Sequence, residues 1–276
     1  MKNKLCKWLV IFGILLLLLP MAIRVLNDRP LMAGRDGYGH ARIAATIAAK
    51  GIPEFDPAMP ERRYAINIFD LALACLAMLI GIEAAAIILP LLFGIAALLC
   101  IYATLKKWRL SQDVSFYTLL VFVLSPFFVS VFAQAIPNAM ELFLLSLFLL
   151  LLSPSESRSV KTTVSLTILN VVVAALLATF SITTALVAFT LPILLRTVSK
   201  KVPASMIASS LAAFIVLVAI TLPRFLQYER VPFGKQVPVV QSISDFGGTG
   251  GLSLFALLLA LIGFIPVSYT HLRAHE

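Results

Sequence analysis

The sequence predicts an all-α, polytopic helical membrane protein, and three observations carry that prediction. Hydrophobic residues fill 61% of the 276 positions and charged residues only 13%, with a mean hydropathy of +1.01. A water-soluble domain has no means of burying so much apolar surface. The apolar residues also gather into runs of span length, and the basic residues are distributed unequally between the loops that join those runs.

The first run follows a basic flank, "MKNKLCKWLVIFGILLLLLP", and continues through "MAIRVL" with no small-residue cleavage site. The expectation is an uncleaved span over 8–26, with Lys2, Lys4 and Lys7 holding its start in the cytoplasm. Further apolar segments fall near 65–81, 84–105, 114–134, 138–153, 163–180, 182–197, 204–222 and 251–267. The odd member is 65–81, which holds Asp70 and is joined to the next run by only Ile82 and Glu83.

Charge decides how 65–81 is placed. If it lies in the outer interface, or dips in and returns, Lys2, Lys4, Lys7, Lys106, Lys107, Arg109, Arg158, Lys161, Arg196, Lys200 and Lys201 share one side with only Asp113 and Glu156. That is the asymmetry of the positive-inside rule. The prediction is therefore about eight transmembrane helices, a cytoplasmic N-terminus and an interfacial helical first outer loop over about 27–83. The net charge of +9 is explained by topology, and nucleic-acid binding is excluded. Cys6, Cys75 and Cys100 lie in or beside apolar runs and suggest neither a disulfide framework nor a zinc site. The final nine residues, "SYTHLRAHE" (268–276), resemble a translated sequencing-adapter tail; the transmembrane domain is taken as 1–267, and the natural chain is expected to continue beyond it.

The first outer loop differs from the rest in carrying both charge signs: Asp28, Asp36, Glu54, Asp56, Glu61 and Asp70 with Arg29, Arg35, Arg42, Lys50, Arg62 and Arg63. Orientation does not require them, so chemistry is sought there. A helix is expected over 37–50, stopped by Gly51 and Pro53. Ile43, Ala44, Ile47 and Ala48 would form a stripe laid on the membrane surface. Asp36 just before this helix reads as an N-cap worth about 1 kcal/mol, a role compatible with catalysis. His40, four residues on, falls on the same side as the helix start. Asp56 reads as the opening of a turn before Pro57, and Arg62 and Arg63 as interface anchors. Asn170, Thr183 and Thr184, inside spans, are expected to hydrogen-bond between helices. The "GYG" at 37–39 lacks the Thr-Val and pore helix of a channel filter, and "FGGTGG" (246–251) lacks the frame of a phosphate loop.

The pattern Asp36-x-Tyr38-x-His40-x-Arg42, followed by an amphipathic helix, Gly51-Ile52-Pro53 and Phe55-Asp56-Pro57, resembles the GT-C membrane glycosyltransferases, oligosaccharyltransferase catalytic subunits and their archaeal and bacterial relatives in particular. The stretch "ERRYAINIFDLALACLAMLIG" is similar to that family's loop helix, and a weaker likeness continues to about residue 200. The resemblance implies a sugar donor on a polyprenyl phosphate or diphosphate at the outer face. It implies Asp36 as general base or ligand of a divalent cation (Mg or Mn), with Asp56 as a second ligand. Tyr38, His40, Arg42, Arg62, Arg63 and Arg230 are then the substrate-binding residues. Membrane lipid, the lipid-linked donor and an acceptor are the implied partners. Where relatives carry an acid in the second outer loop, "AQAIPNAMELF" offers Asn138 and Glu141. The alternative is a non-catalytic lipid-linked-glycan binder or transporter that keeps the fold.

Overall fold

The computed structural model describes residues 2–57, 59–64, 66–153, 160–180, 182–198 and 206–227. The chain begins with α1 (Lys2–Leu26), α2 (Arg35–Lys50) and a short antiparallel hairpin of β1 (Phe55–Asp56) and β2 (Met59–Arg63). It continues through α3 (Ile68–Ile80), α4 (Ile82–Lys107), α5 (Gln112–Leu124), α6 (Pro126–Phe132) and α7 (Pro137–Leu152). The last described helices are α8 (Val160–Phe180), α9 (Ile182–Val198) and α10 (Met206–Gln227). The architecture below is that of the unit formed by residues up to Arg224; the predicted run at 251–267, Arg230 and the 268–276 tail lie outside the described residues.

Two helices, Leu5–Leu26 of α1 and Ile82–Lys107, are long and apolar enough to cross a membrane, and a third candidate is the bent pair α5–α6. Only 17% of the apolar window of α1 is buried, and Trp8, Leu15, Leu19 and Val25 point outward. A surface of that kind suits lipid rather than water.

Three cores organise the helices, and α4 takes part in two of them. Leu17 of α1, Leu98 of α4, Leu119 and Val123 of α5 and Phe128 and Phe132 of α6 form the first. Phe148 and Leu152 of α7, Leu177 of α8, Ala185 of α9 and Ala213 of α10 form the second. The third joins α2, α3 and the start of α4, through Ile43, Ala44, Ile47, Phe69, Leu73, Ala85 and Leu89. Close crossing of α1, α4 and α6 depends on Gly94: a Cβ there would lie 2.8 Å from both Leu17 and Phe132, inside any carbon–carbon contact distance.

Three expectations are corrected here. The stripe on α2 does not lie on the membrane surface; Ile43, Ala44 and Ile47 are buried against α3 and α4, because those helices present a complementary apolar face. The predicted span 114–134 is not one straight helix. It bends by 55° between α5 and α6, where Pro126 has no N–H to donate and holds Ser125 extended (φ −63°, ψ 123°). The helical loop expected over about 27–83 is also interrupted by the β1–β2 hairpin, while the class remains all-α. The segment 65–81 contains α3, about 20 Å long at 1.5 Å per residue and so shorter than a hydrocarbon core. Gly81, at φ +84°, turns the chain directly from α3 into α4.

Candidate functional site

The site is built from the end of α1 onward. Arg24 in the last turn of α1 donates from Nη1 to the carbonyls of Pro30 (2.8 Å) and Met32 (3.3 Å), folding the chain back after Leu26. Tyr38 Oη donates to the same Met32 carbonyl at 3.4 Å, although its ring is half exposed. Ala33 then forms a parallel bridge with Gln134, between α6 and α7. Gly34 leaves that bridge at φ +77°, a conformation that favours glycine, and a Cβ there would stand 2.2 Å from Gln134 Oε1. Two loops are joined by this contact, and it fixes where α2 starts.

α2 therefore begins at Arg35, and the cap position is Gly34, with no side-chain capping bond. The N-cap reading of Asp36 is thus corrected: the positive φ of Gly34 starts the helix earlier and places Asp36 inside its first turn. There its carboxylate is exposed and favourably placed against the positive end of the helix dipole. Gly37 is buried on Ala135, and Arg42 is exposed one turn later.

His40 reaches α3. The hairpin returns the chain so that Tyr64 N donates to the Glu54 carbonyl at 3.0 Å. Asn67 then caps α3, its side chain accepting from Phe69 N at 2.9 Å. Three residues after the cap, Asp70 sits in the first turn of α3 at 1% exposure. Its Oδ1 lies 2.7 Å from His40 Nδ1, and its Oδ2 accepts from Tyr64 Oη at 2.9 Å. Tyr64 Oη in turn accepts from Asn67 N at 3.3 Å. The His40 ring meets Phe69 edge-on, at 5.8 Å and 87°. Burial pushes the Tyr64 phenol well above its ordinary pKa; the Asn67 N–H opposes this, and the Asp70 and Asp56 carboxylates add to it.

The structure thus brings His40 together with Tyr64 and Asp70, which sequence reasoning did not assign to the site. A signal for Asp70 was present: an acid in the apolar run "IFDLALACLAMLI" requires a partner, and His40 is the one histidine before the terminal segment. Asp56 is half-buried in β1 beside the hairpin turn, as its Pro57 neighbour implied. Arg62 and Arg63 belong to β2, with side chains outside the described residues, as is all of Arg230. Asp36 and Asp56 carry oxygen donors of the kind Mg and Mn accept. Among the described residues, however, no group of three or more His, Cys, Asp or Glu is assembled in a way that could hold a metal ion. Deeper in the bundle, Thr184 of α9 donates to Glu141 of α7, and Asn170 Nδ2 of α8 donates to Ser209 of α10 at 3.1 Å, as expected for interhelical bonds.

No family model matches the chain, and no curated protein matches it significantly.

Proposed function

We propose that this chain is a membrane glycosyltransferase of GT-C type, with eight spans and a cytoplasmic N-terminus, that moves a sugar from a polyprenyl-phosphate-linked donor at the outer face. One observation carries the reading. The Asp36 carboxylate is not engaged in capping α2; it stands exposed in the first turn of a helix whose start is fixed by a bridge between two loops. An acceptor hydroxyl loses a proton as it attacks the anomeric carbon, and the leaving phosphate gains negative charge. Asp36 serves the first need as base, or the second as ligand to a divalent cation together with Asp56. Tyr38, His40 and Arg42 on the same helix are the candidate substrate contacts, His40 through the edge of its ring left open beyond Asp70, with Arg62, Arg63 and Arg230 as further cations for the phosphate. The polar head of such a donor meets these groups while its tail stays in lipid.

In membranes carrying the full chain, transfer from polyprenyl-phosphate hexoses is expected, with Asp36→Asn lowering it by about 10²-fold or more. Unchanged transfer by Asp36→Asn removes the assigned role. Cysteine labelling at Lys107 and Arg62 tests the topology beneath it, and an outward-facing Lys107 refutes the eight-span arrangement. Asn138, exposed on the first turn of α7 where relatives carry an acid, favours a second reading: a lipid-linked-glycan binder that has lost the chemistry. Binding of the donor without turnover distinguishes it.

A further inference from the structure

We propose that Asp70, held by Tyr64, fixes the hydrogen of His40 on Nδ1, so that Nε2 takes the proton of the acceptor hydroxyl during sugar transfer. The proton-transfer role rests on the glycosyltransferase reading; the placement of the hydrogen does not.

The direction of each hydrogen bond can be followed from one end of the chain. The Asn67 N–H only donates, and it is aimed at Tyr64 Oη. Oη has a single proton of its own, and its other partner is Asp70 Oδ2. Burial and the neighbouring carboxylates keep that proton on the phenol. Oδ2 is therefore an acceptor. Asp70 also lies in the first turn of α3, with the positive end of the helix dipole beside it. A carboxylate already accepting on one oxygen leaves Oδ1 as an acceptor too, so His40 Nδ1 carries the hydrogen across the 2.7 Å contact. In the neutral ring the lone pair then resides on Nε2.

Burial gives the network a direction. Asp70 is 1% exposed and His40 is 23% exposed, so the imidazole is its open end. Phe69, edge-on to the ring, restrains reorientation. Asp36 is one turn earlier on the same helix, at a spacing that sets side chains on one face about 5–6 Å apart at Cβ.

In the transfer step the acceptor oxygen forms its bond to the anomeric carbon as its O–H bond breaks, and that proton passes to His40 Nε2. The bond from the anomeric carbon to the phosphate oxygen breaks, and the polyprenyl phosphate leaves with the electron pair. The imidazolium so formed faces the buried Asp70 carboxylate and later returns its proton to water at the outer face. The arrangement divides the work on α2: His40 rather than Asp36 takes the proton, and Asp36 keeps the second of its two roles, in which it would hold a divalent cation for the leaving phosphate. Asp70 and Tyr64 are positioning residues.

Two measurements on the full chain in lipid nanodiscs test this. Histidine-nitrogen NMR, with His40 assigned by subtraction of the His40→Gln spectrum, is expected to show a protonated Nδ1 and a bare Nε2 in the neutral ring. Asp70→Asn is expected to abolish that preference. An Nε2–H tautomer in the unmodified chain, or one unchanged by Asp70→Asn, overturns the proposal. The second measurement is transfer from a panel of citronellyl-phosphate hexoses to octyl glucoside. His40→Gln is expected to lower kcat by about 10²-fold or more with the donor KM unchanged, and Asp70→Asn to lower kcat by less. Full kcat in His40→Gln overturns the base role while leaving the glycosyltransferase reading intact. Absence of transfer in the unmodified chain sinks that reading and the base role with it, and the NMR result still decides where the hydrogen sits.

Discussion

Asp70 and Asn170 are each 1% exposed, and each lies in a predominantly apolar helix, yet their surroundings are built differently. Around Asp70, both carboxylate oxygens have partners, and the next donor and acceptor along the chain are matched as well. Around Asn170, the amide nitrogen reaches Ser209, but Asn170 Oδ1 and the nearby Ser210 Oγ have no hydrogen-bond partner among the described residues. The first cluster joins two helices and a hairpin and opens at His40; the second lies between α8 and α10 and is closed. Complete pairing is what an ionisable group demands in a poorly solvating interior. A neutral amide is tolerated with half its capacity used, because interhelical bonds inside membranes contribute little each.

The largest test of this contrast is Asp70→Ala. It strips His40 and Tyr64 of a shared acceptor and is expected to cost about 3 kcal/mol, because two part-buried donors lose their partner at once. Thermal unfolding in detergent measures it. A loss under about 1 kcal/mol would place the Asp70 cluster on the same footing as the Asn170 one.

A smaller effect is expected from Tyr64→Phe, which leaves Asp70 Oδ2 and the Asn67 N–H one partner short, at about 1–2 kcal/mol. It also carries a pH signature. The folded-state pKa of Tyr64 is raised above its ordinary value of about 10, so its contribution is fully present below that pH and is lost as pH climbs toward the folded value. The unmodified chain should therefore lose stability in that alkaline range more steeply than the Phe variant. Parallel curves would show that the phenol is not held as described.

The smallest effect is expected at Asn170→Leu, close in volume and free of unmatched polar atoms. It should change stability by about 0.6 kcal/mol or less in either direction. A large destabilisation there would mean that the closed cluster holds more of the bundle together than its hydrogen bonds indicate.

Much of the fold was legible because apolar run length and loop charge are one-dimensional signals. α1 and α4 follow from them directly. Gly51 and Pro53 marked the end of α2 correctly. The bend at Pro126 was visible as "LSPFF" but is easily read through when the flanking residues are uniformly apolar. The hairpin was missed because β1 has two residues and no alternation to detect. The site was half legible: the charged loop and Asp36 stood out, whereas the partnership of His40 with Asp70 spans 30 positions and depends on that hairpin returning Tyr64. Pattern matching also put Asp36 one step outside the helix, since nothing in the sequence announces the positive φ of Gly34.

The bridge from Ala33 to Gln134 has a consequence for how the protein is made. Synthesis delivers Gly34 long before Gln134, so the amino end of α2 has no seat until α4, α5 and α6 have left the ribosome and entered the bilayer. Until then the first loop waits with its acidic turn undocked, and the Asp36 end of α2 takes its place only once the sixth helix has followed.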